Sequence, residues 1–409
     1  MDRVAITGMG MVSSLGDSSR DVHAALCQGR SGIRPVTQFA STGAPCRLAG
    51  PVADFDEKKY LPGRNLRPLD RLARLATSAV KLALADTGWT PELLRSNEAG
   101  LALGTMFGAA HTVGEFDRGT VINGPGSASP LDFANTVLNA AAGQAAIWHG
   151  LTGINSTITT GITAGLDAIG YATDLIRSGR AAVIVAGGAE EFSLEAVHAF
   201  ERSGLLCGSH GDNPLPVPFH ALRNGIAPGE GAAFVVLEDL DRALAGGRAV
   251  LAEIRGHAST MNTSGGKDGK LAVEAIARSI HLALRDAGCG PDDIDCLSAS
   301  ANGSVATDGY EACAAACALG GRAARLPVTA VKSMLGDTLG ASGAMQLIDL
   351  VESMRQGMLP GIPNLDKVDA GFPLPMAGPE SRELKARIGL VNAVGAHGSC
   401  CSLVVALRT

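Results

Sequence analysis

The sequence predicts an α/β protein made of two related halves around buried central sheets. Three observations carry that expectation. Short apolar or β-branched runs ending in glycine alternate with longer stretches of helical periodicity along the whole chain. In each half a long helical stretch closes on Asp-x-Gly and is followed by a strand and a glycine-rich polar loop, a weak internal repeat that favours duplication. Glycine is abundant, with 53 in 409 residues, about 13% against an average near 7%. No Gly-X-Y period or Ser/Pro-rich tract accompanies it, so collagen and flexible linkers are excluded and a tightly turned fold remains.

The elements follow in order. Residues 4–8 read as the first strand. Residues 70–88 read as a helix with Leu72, Leu75, Ala76, Ala79, Leu82 and Ala83 on one face and Gly88 as its stop. Its closing Ala85-Asp86-Thr87-Gly88 leads into the strand and loop at 100–105. Residues 163–179 form a second helix, with Leu166, Ile169, Leu175 and Ile176 inward, and 181–188 and 232–237 are strands. The stretch 239–248 is the expected junction, dividing the chain into an N-terminal half, 1–245, and a C-terminal half, 246–409. In the second half, helices at 269–288 and 343–357 flank the strand and loop at 295–304, and 403–407 is the last strand.

Composition narrows the function. Lys plus Arg number 34 and Asp plus Glu 40, for a net charge of −6, which argues against a dedicated nucleic-acid binder. Hydrophobic residues at 46% and charged residues at 18% are globular proportions. Residues 1–8 show no basic segment before an apolar stretch, and the longest small apolar run, 181–189, is about half a membrane span. A cytosolic protein is expected. Nine cysteines without C-x-x-C spacing point to neither a disulfide framework nor a metal site. Cys313 and Cys317 are expected as small buried helix residues. His111, His149 and His397 have no metal-ligand partner at useful spacing. No P-loop or dinucleotide fingerprint is present.

One segment has the form of a catalytic elbow. Residues 158–170 read as a strand end, a glycine turn and a helix N-terminus, which would project one side chain at the positive end of a helix dipole. A thiolate there would be stabilised, yet the residue is Ile162. Thr163 beside it reads as a hydroxyl of the helix start.

Nearly the whole chain resembles a β-ketoacyl-(acyl carrier protein) synthase of the ketosynthase II branch. The blocks that carry the resemblance are 4–10, 185–190, Pro218-Phe219, Arg223-Asn224-Gly225, 229–232, 332–336 and 339–344, in that order. The resemblance implies the thiolase fold, a layered αβαβα arrangement of two related halves. It also implies substrates carried on the phosphopantetheine of an acyl carrier protein, with no cofactor and no metal. Members condense acyl chains with a Cys-His-His triad and a lysine. Position by position the Cys falls on Ile162, the first His on Ser300 (on Asn302 with a two-residue shift) and the second on Asp337. Lys332 is retained, and the glutamate that balances it corresponds to Gln346, which leaves Asp337 as candidate counter-ion. The gating Phe of the terminal loop corresponds to Ala396. In that loop His397, Ser399 and Cys400 lie together without elbow geometry.

Isoleucine forms no thioester, and Ser300 and Asp337 do not replace two imidazoles. The stretch 164–170 is similar to the elbow helix of chain length factors, the ketosynthase β subunits of type II polyketide or polyene synthases. That subunit carries Gln where this chain has Ile162, so a Gln-dependent decarboxylation is not implied. The resemblance implies a chain inactive alone, paired with a Cys-containing ketosynthase α subunit, with no nucleic acid or membrane partner. Met106, Phe107, Thr112, Phe116 and Phe133 then wall the product tunnel at the dimer interface, with Phe107 as the leading ruler. Arg64, Arg67, Arg71 and Arg74 are candidates for carrier-protein contact, weighed against a solvated helix face. Other readings stay open: a decayed paralogue, a condensing enzyme or malonyl decarboxylase with altered machinery, and a homodimeric acyl-binding protein.

Overall fold

The computed structural model describes residues 3–36, 46–63, 65–85, 87–209, 213–265, 268–373 and 378–408. Ten strands make one mixed sheet: β1 (Val4–Val12), β2 (Gly100–Gly104), β3 (Asn155–Ile158), β4 (Val183–Glu190), β5 (Gly231–Asp239), β6 (Ala252–Met261), β7 (Cys296–Ser298), β8 (Val328–Thr329), β9 (Ile388–Val394) and β10 (Ser399–Ala406). The main helices are α1 (Ser19–Cys27), α2 (Arg71–Leu84), α3 (Ala110–Asn123), α4 (Ala140–His149), α5 (Ala164–Arg177), α6 (Leu194–Arg202), α7 (Gly269–Ala287), α8 (Val305–Leu319) and α9 (Ser342–Gln356).

The spatial strand order is β8-β7-β9-β10-β6-β1-β5-β4-β2-β3. Each half has the same pattern. In the first, β1 pairs antiparallel with β5, β5 antiparallel with β4, and β4 and β3 both lie parallel to β2. In the second, β6 pairs antiparallel with β10, β10 antiparallel with β9, and β9 and β8 both lie parallel to β7. The halves meet where Val4–Ile6 pairs with Ala252–Ile254. The repeat seen weakly in sequence is therefore a repeat of topology. The expected junction holds a short helix, Leu240–Ala245, capped by the Asp239 carboxylate, which accepts from the Arg242 N–H. Asp86, part of the first Asp-x-Gly signal, lies outside the described residues.

Three apolar layers separate the sheet from the helices. Along β4, Val183 and Val185 pack outward with Leu72, Leu75 and Ala79 of α2. Ile184 and Ala186 pack inward with Leu166 and Ile169 of α5 and Leu347 of α9. In the second half Val404 turns outward to Ile280 and Leu284 of α7, while Leu403 and Val405 join the central layer. Strands covered on both faces have no solvated side, which is why they read as continuous apolar runs. The central helices α5 and α9 are enclosed between the two halves of the sheet, and every residue of α9 from Ser342 to Met354 is buried. Glycine makes that enclosure possible: a Cβ at Gly165 or at Gly188 would run into the carbonyl oxygen of Gly340.

Candidate functional site

The elbow forms as its sequence predicts. Strand β3 ends at Ile158, Gly161 takes φ +79°, and a short 3₁₀ turn at Gly161–Thr163 feeds into α5. That positive φ is a conformation glycine adopts without strain. Ile162 projects from the turn with 7% exposure into an apolar cluster with Phe192, Phe200, Leu206, Ile226 and Leu339. The Thr163 hydroxyl is spent locally, donating to Asp167 at 2.7 Å and to the Thr160 carbonyl at 3.1 Å. The helix start thus faces a hydrocarbon side chain.

Opposite the elbow, a polar network is closed on itself. Lys332 Nζ lies 3.4 Å from Asp337 Oδ1, with 2% and 0% of the two side chains exposed. Asp337 accepts further from Asn302 Nδ2 at 2.6 Å, from the Leu339 N–H at 3.1 Å and from the Ser342 hydroxyl at 2.9 Å. Ser300 Oγ accepts from Lys332 Nζ at 3.3 Å and from the Val394 N–H at 2.9 Å. Asn302 Oδ1 accepts from the Ser304 N–H at 3.1 Å, so both ends of that amide are engaged.

Gln346, aligned with a lysine-balancing glutamate, does not engage Lys332; its Nε2 donates to the carbonyls of Ser298, Ala299 and Asn392 at 2.9–3.3 Å. Besides Asp337, the carboxylate influenced by Lys332 is Glu311, which accepts from the Ser300 N–H at 2.8 Å. Burial raises Glu311 to about 7, against the hydrogen bond and the lysine charge that lower it. Asp308, also fully buried, is raised by burial to about 6 although it accepts N–H bonds from Phe219, Asn302 and Gly303. Both lie in α8 at i, i+3, a spacing that puts them on one helix face.

A cavity of about 340 Å³ opens in front of Ile162, and its walls include Met106, Phe200, Asn302, Ala396 and His397. Of the ruler candidates, Met106 and Ala396 reach it. Phe107 stands behind the wall, edge-on to Phe200 with ring centroids 5.8 Å apart. Thr112 and Phe116 of α3 are half-buried outside the cavity, and Phe133 is 62% exposed with its ring 5.8 Å from that of Phe116. Within this chain, then, the five side chains do not line one tunnel.

Two adjacent glutamates at the end of β4 hold this wall in place, and sequence reasoning passed over them. Glu190 accepts from the N–H groups of Met106, Phe107 and Gly340 at 2.6, 2.9 and 3.1 Å and from the Thr105 hydroxyl at 3.2 Å. Glu191 accepts from the His111 N–H at 2.8 Å, in the first turn of α3. Burial raises Glu190 to about 7 and Glu191 to about 8. The available signal was two consecutive acids ending an otherwise apolar strand.

The arginine run is mostly committed inside the chain. Arg71 forms a two-pronged pair with the buried Glu230, at 2.6 and 2.8 Å, and donates to the Val52 carbonyl. Arg74 pairs with Glu57 at 2.9 Å and donates to the Leu69 carbonyl. Arg67 is exposed, and Arg64 lies outside the described residues. His149 Nε2 is hydrogen-bonded to the Thr77 carbonyl at 2.9 Å, while His111 and His397 are exposed. Cys313 is half-buried and Cys317 exposed, unlike the buried pair expected, because Cys317 falls on the outer face of α8. Cys400 is buried, and burial pushes its thiol up to about 12. Among the described residues no group of three His, Cys, Asp or Glu is arranged to hold a metal, and no helix is long and apolar enough to cross a membrane.

Comparison with known proteins agrees with this frame. Among the solved structures it resembles, "The ishigamide ketosynthase/chain length factor" superposes with a TM-score of 0.93 at 30% identity, covering 100% of both chains. The tetracenomycin polyketide synthase ketoacyl synthase beta subunit of Streptomyces glaucescens is 33% identical over 410 residues, 98% of each chain. The 3-oxoacyl-[acyl-carrier-protein] synthase 2 of Synechocystis is 31% identical over 402 residues, 97% of this chain and 96% of its own. Residues 1–243 match the beta-ketoacyl synthase N-terminal domain and residues 251–366 its C-terminal domain. With its thiolase fold and both domains matched, the chain belongs to the β-ketoacyl synthase family.

Proposed function

We propose that this chain is a chain length factor: a non-condensing subunit that pairs with a Cys-containing ketosynthase and shapes the space in which a carrier-protein-bound polyketide or polyene chain grows. The observation that carries the reading is Ile162 at the elbow, buried in an apolar cluster. Condensation requires a nucleophile that takes the acyl group as a thioester, and a hydrocarbon offers no electron pair. Decarboxylation of a malonyl group requires donors aimed at the developing enolate oxygen. Here Asp337 presents acceptors and is engaged by four donors, and the Ser300 hydroxyl already accepts from Lys332 and Val394.

What remains is the frame of a condensing site with its polar interior neutralised. In this reading the Met106–Phe107 segment, held by Glu190, limits chain length by steric exclusion. The beta-subunit relative and the ketosynthase/chain length factor structure support the reading. The test uses purified chain with malonyl-carrier protein, alone and with a co-expressed Cys-bearing ketosynthase. The expected result is no CO₂ release and no acylated side chain from the chain alone, and elongated products from the pair. Release of CO₂ or acyl loading by the chain alone, or a homodimer that ignores the ketosynthase, overturns the reading.

A further inference from the structure

A second cluster of reactive groups lies away from the elbow, between α1 and α9. Cys27 and His23 are one helical turn apart in α1, so both side chains fall on the same face. His23 Nε2 is 3.4 Å from Cys27 Sγ, and Nδ1 is 2.8 Å from Oδ1 of Asp349 in α9. This is the order thiol, imidazole, carboxylate, with the base in reach of the nucleophile and oriented by a third group. His23 is 2% exposed, whereas Cys27 is half-buried and stays open to a small reagent.

We propose that Cys27, His23 and Asp349 form a thiol–disulfide exchange site that takes low-molecular-weight disulfides. In the step, the Cys27 thiol loses its proton to solvent beside the His23 imidazolium, and the thiolate attacks one sulfur of the disulfide. The S–S bond of the reagent breaks, a mixed disulfide forms on Cys27, and the departing thiolate takes up the proton. No net oxidant or reductant is consumed beyond the disulfide.

The surroundings favour this chemistry over acyl transfer. An acyl group needs donors for a tetrahedral oxyanion. The amides that follow Cys27 are already used: Gln28 donates to Ala24 and Ala25, Gly29 to Leu26, and Arg30 to Ala25. Attack on sulfur makes no such demand. The C-terminal end of the α1 dipole opposes an anion at Cys27, so the imidazolium has to outweigh it. Burial alone would lower the His23 imidazole, but the hydrogen bonds and charges of Asp349 and Cys27 hold it at about 10. A histidine charged at neutral pH stabilises a neighbouring thiolate.

Few other titratable groups face the cluster. On α9, Glu352 is held by the Ser19 hydroxyl and by Arg355. Cys296 of β7 lies under the Asp349 charge, and burial raises its thiol. The Cys27 carbonyl accepts from Ser381, which precedes the exposed Arg382 and Glu383. Strand β1, also packed on α1, carries no titratable residue.

The test treats the full-length chain with glutathione disulfide and follows mixed-disulfide formation at each cysteine by peptide mass spectrometry. Cys317, exposed on α8, is the internal reference. Cys27 is expected to react at least about tenfold faster than Cys317 at pH 6.5, because the His23 imidazole stands 3.4 Å from its sulfur. Between pH 6 and 8 the Cys27 rate should climb less steeply than that of Cys317, because its sulfur lies beside the His23 imidazole. His23→Gln should bring Cys27 down to the Cys317 rate or below. A Cys27 rate no greater than that of Cys317, or with the same slope against pH, overturns the proposal. The pH profile needs no substitution, so the proposal stays open to refutation even if the His23 variant fails to fold.

Discussion

Lys332 and Asp337 depend on each other unequally, and their single and double substitutions should separate. Asp337 has four partners: Lys332, the Asn302 amide, the Leu339 N–H and the Ser342 hydroxyl. Lys332 has Asp337 and the Ser300 hydroxyl. Asp337→Ala therefore leaves a buried ammonium beside one neutral oxygen and orphans three further donors. Breaking a buried pair from that side costs about 3–5 kcal/mol. Lys332→Met leaves a carboxylate that still accepts three hydrogen bonds, and a flexible apolar chain fills the lysine's space, so the cost falls to about 1–3 kcal/mol. The expected gap is roughly 2 kcal/mol, which with a urea slope of about 1–3 kcal/mol/M separates the midpoints by of order 1 M. The double variant should lose less than the sum of the two, since neither charge is left alone. Equilibrium unfolding in urea of the four chains, each purified in the same assembly state, measures both quantities. Lys332→Met as costly as Asp337→Ala, or strict additivity, would refute the assignment of Asp337 as the lysine's counter-ion.

Three further expectations follow from the same geometry. Phe107→Ala, assayed in the proposed pair with a Cys-containing ketosynthase, removes the ring on which Phe200 leans, so the wall gives way and products lengthen; an unchanged product distribution excludes Phe107 as the ruler. Ile162→Cys alone should not give condensation, because neither Ser300 nor Asp337 is an imidazole and both are already engaged, and a mass shift on that cysteine without any elongated product is the compatible outcome. Stability should fall as pH rises from about 5 to 8. Burial holds Glu190, Glu191 and Glu311 at about 7, 8 and 7 in the folded chain against an ordinary 4.5. The folded state therefore binds more protons across that window, and each group's contribution is lost as the pH passes its unfolded value and climbs to its folded one. His23, raised from 6.5 to about 10, acts in the same direction, since its contribution is complete below 6.5 and disappears by 10. Thermal melts at constant ionic strength between pH 5 and 8 check the sign, and a midpoint that climbs with pH contradicts it.

Much of the fold was legible because both kinds of element announce themselves locally. Helix α2 carries its apolar face at 3.6-residue spacing and its cap in Asp70, whose carboxylate accepts from the Ala73 N–H. The elbow was legible for the same reason, since Gly161 and the helix that follows are neighbours in sequence. Partners distant in the chain were not. Glu190 and Glu191 read as the polar end of a strand, and only the return of the 105–111 and 340 segments shows what they hold. Arg71 and Arg74 read as a free basic face, yet Glu230 and Glu57 had already claimed them.

The sequence by itself determined the α/β class, the duplication, the elbow and the isoleucine that stands at it. These depend on periodicity, on glycine conformation and on the identity of one side chain, all of which are local properties. Tertiary structure alone decided which carboxylates face Lys332, which ruler candidates reach the cavity, and that His23 stands between Cys27 and Asp349. Charge pairing and cavity walls depend on distances of a few ångströms between residues tens to hundreds of positions apart. Those distances are fixed only when both halves of the sheet close around α5 and α9.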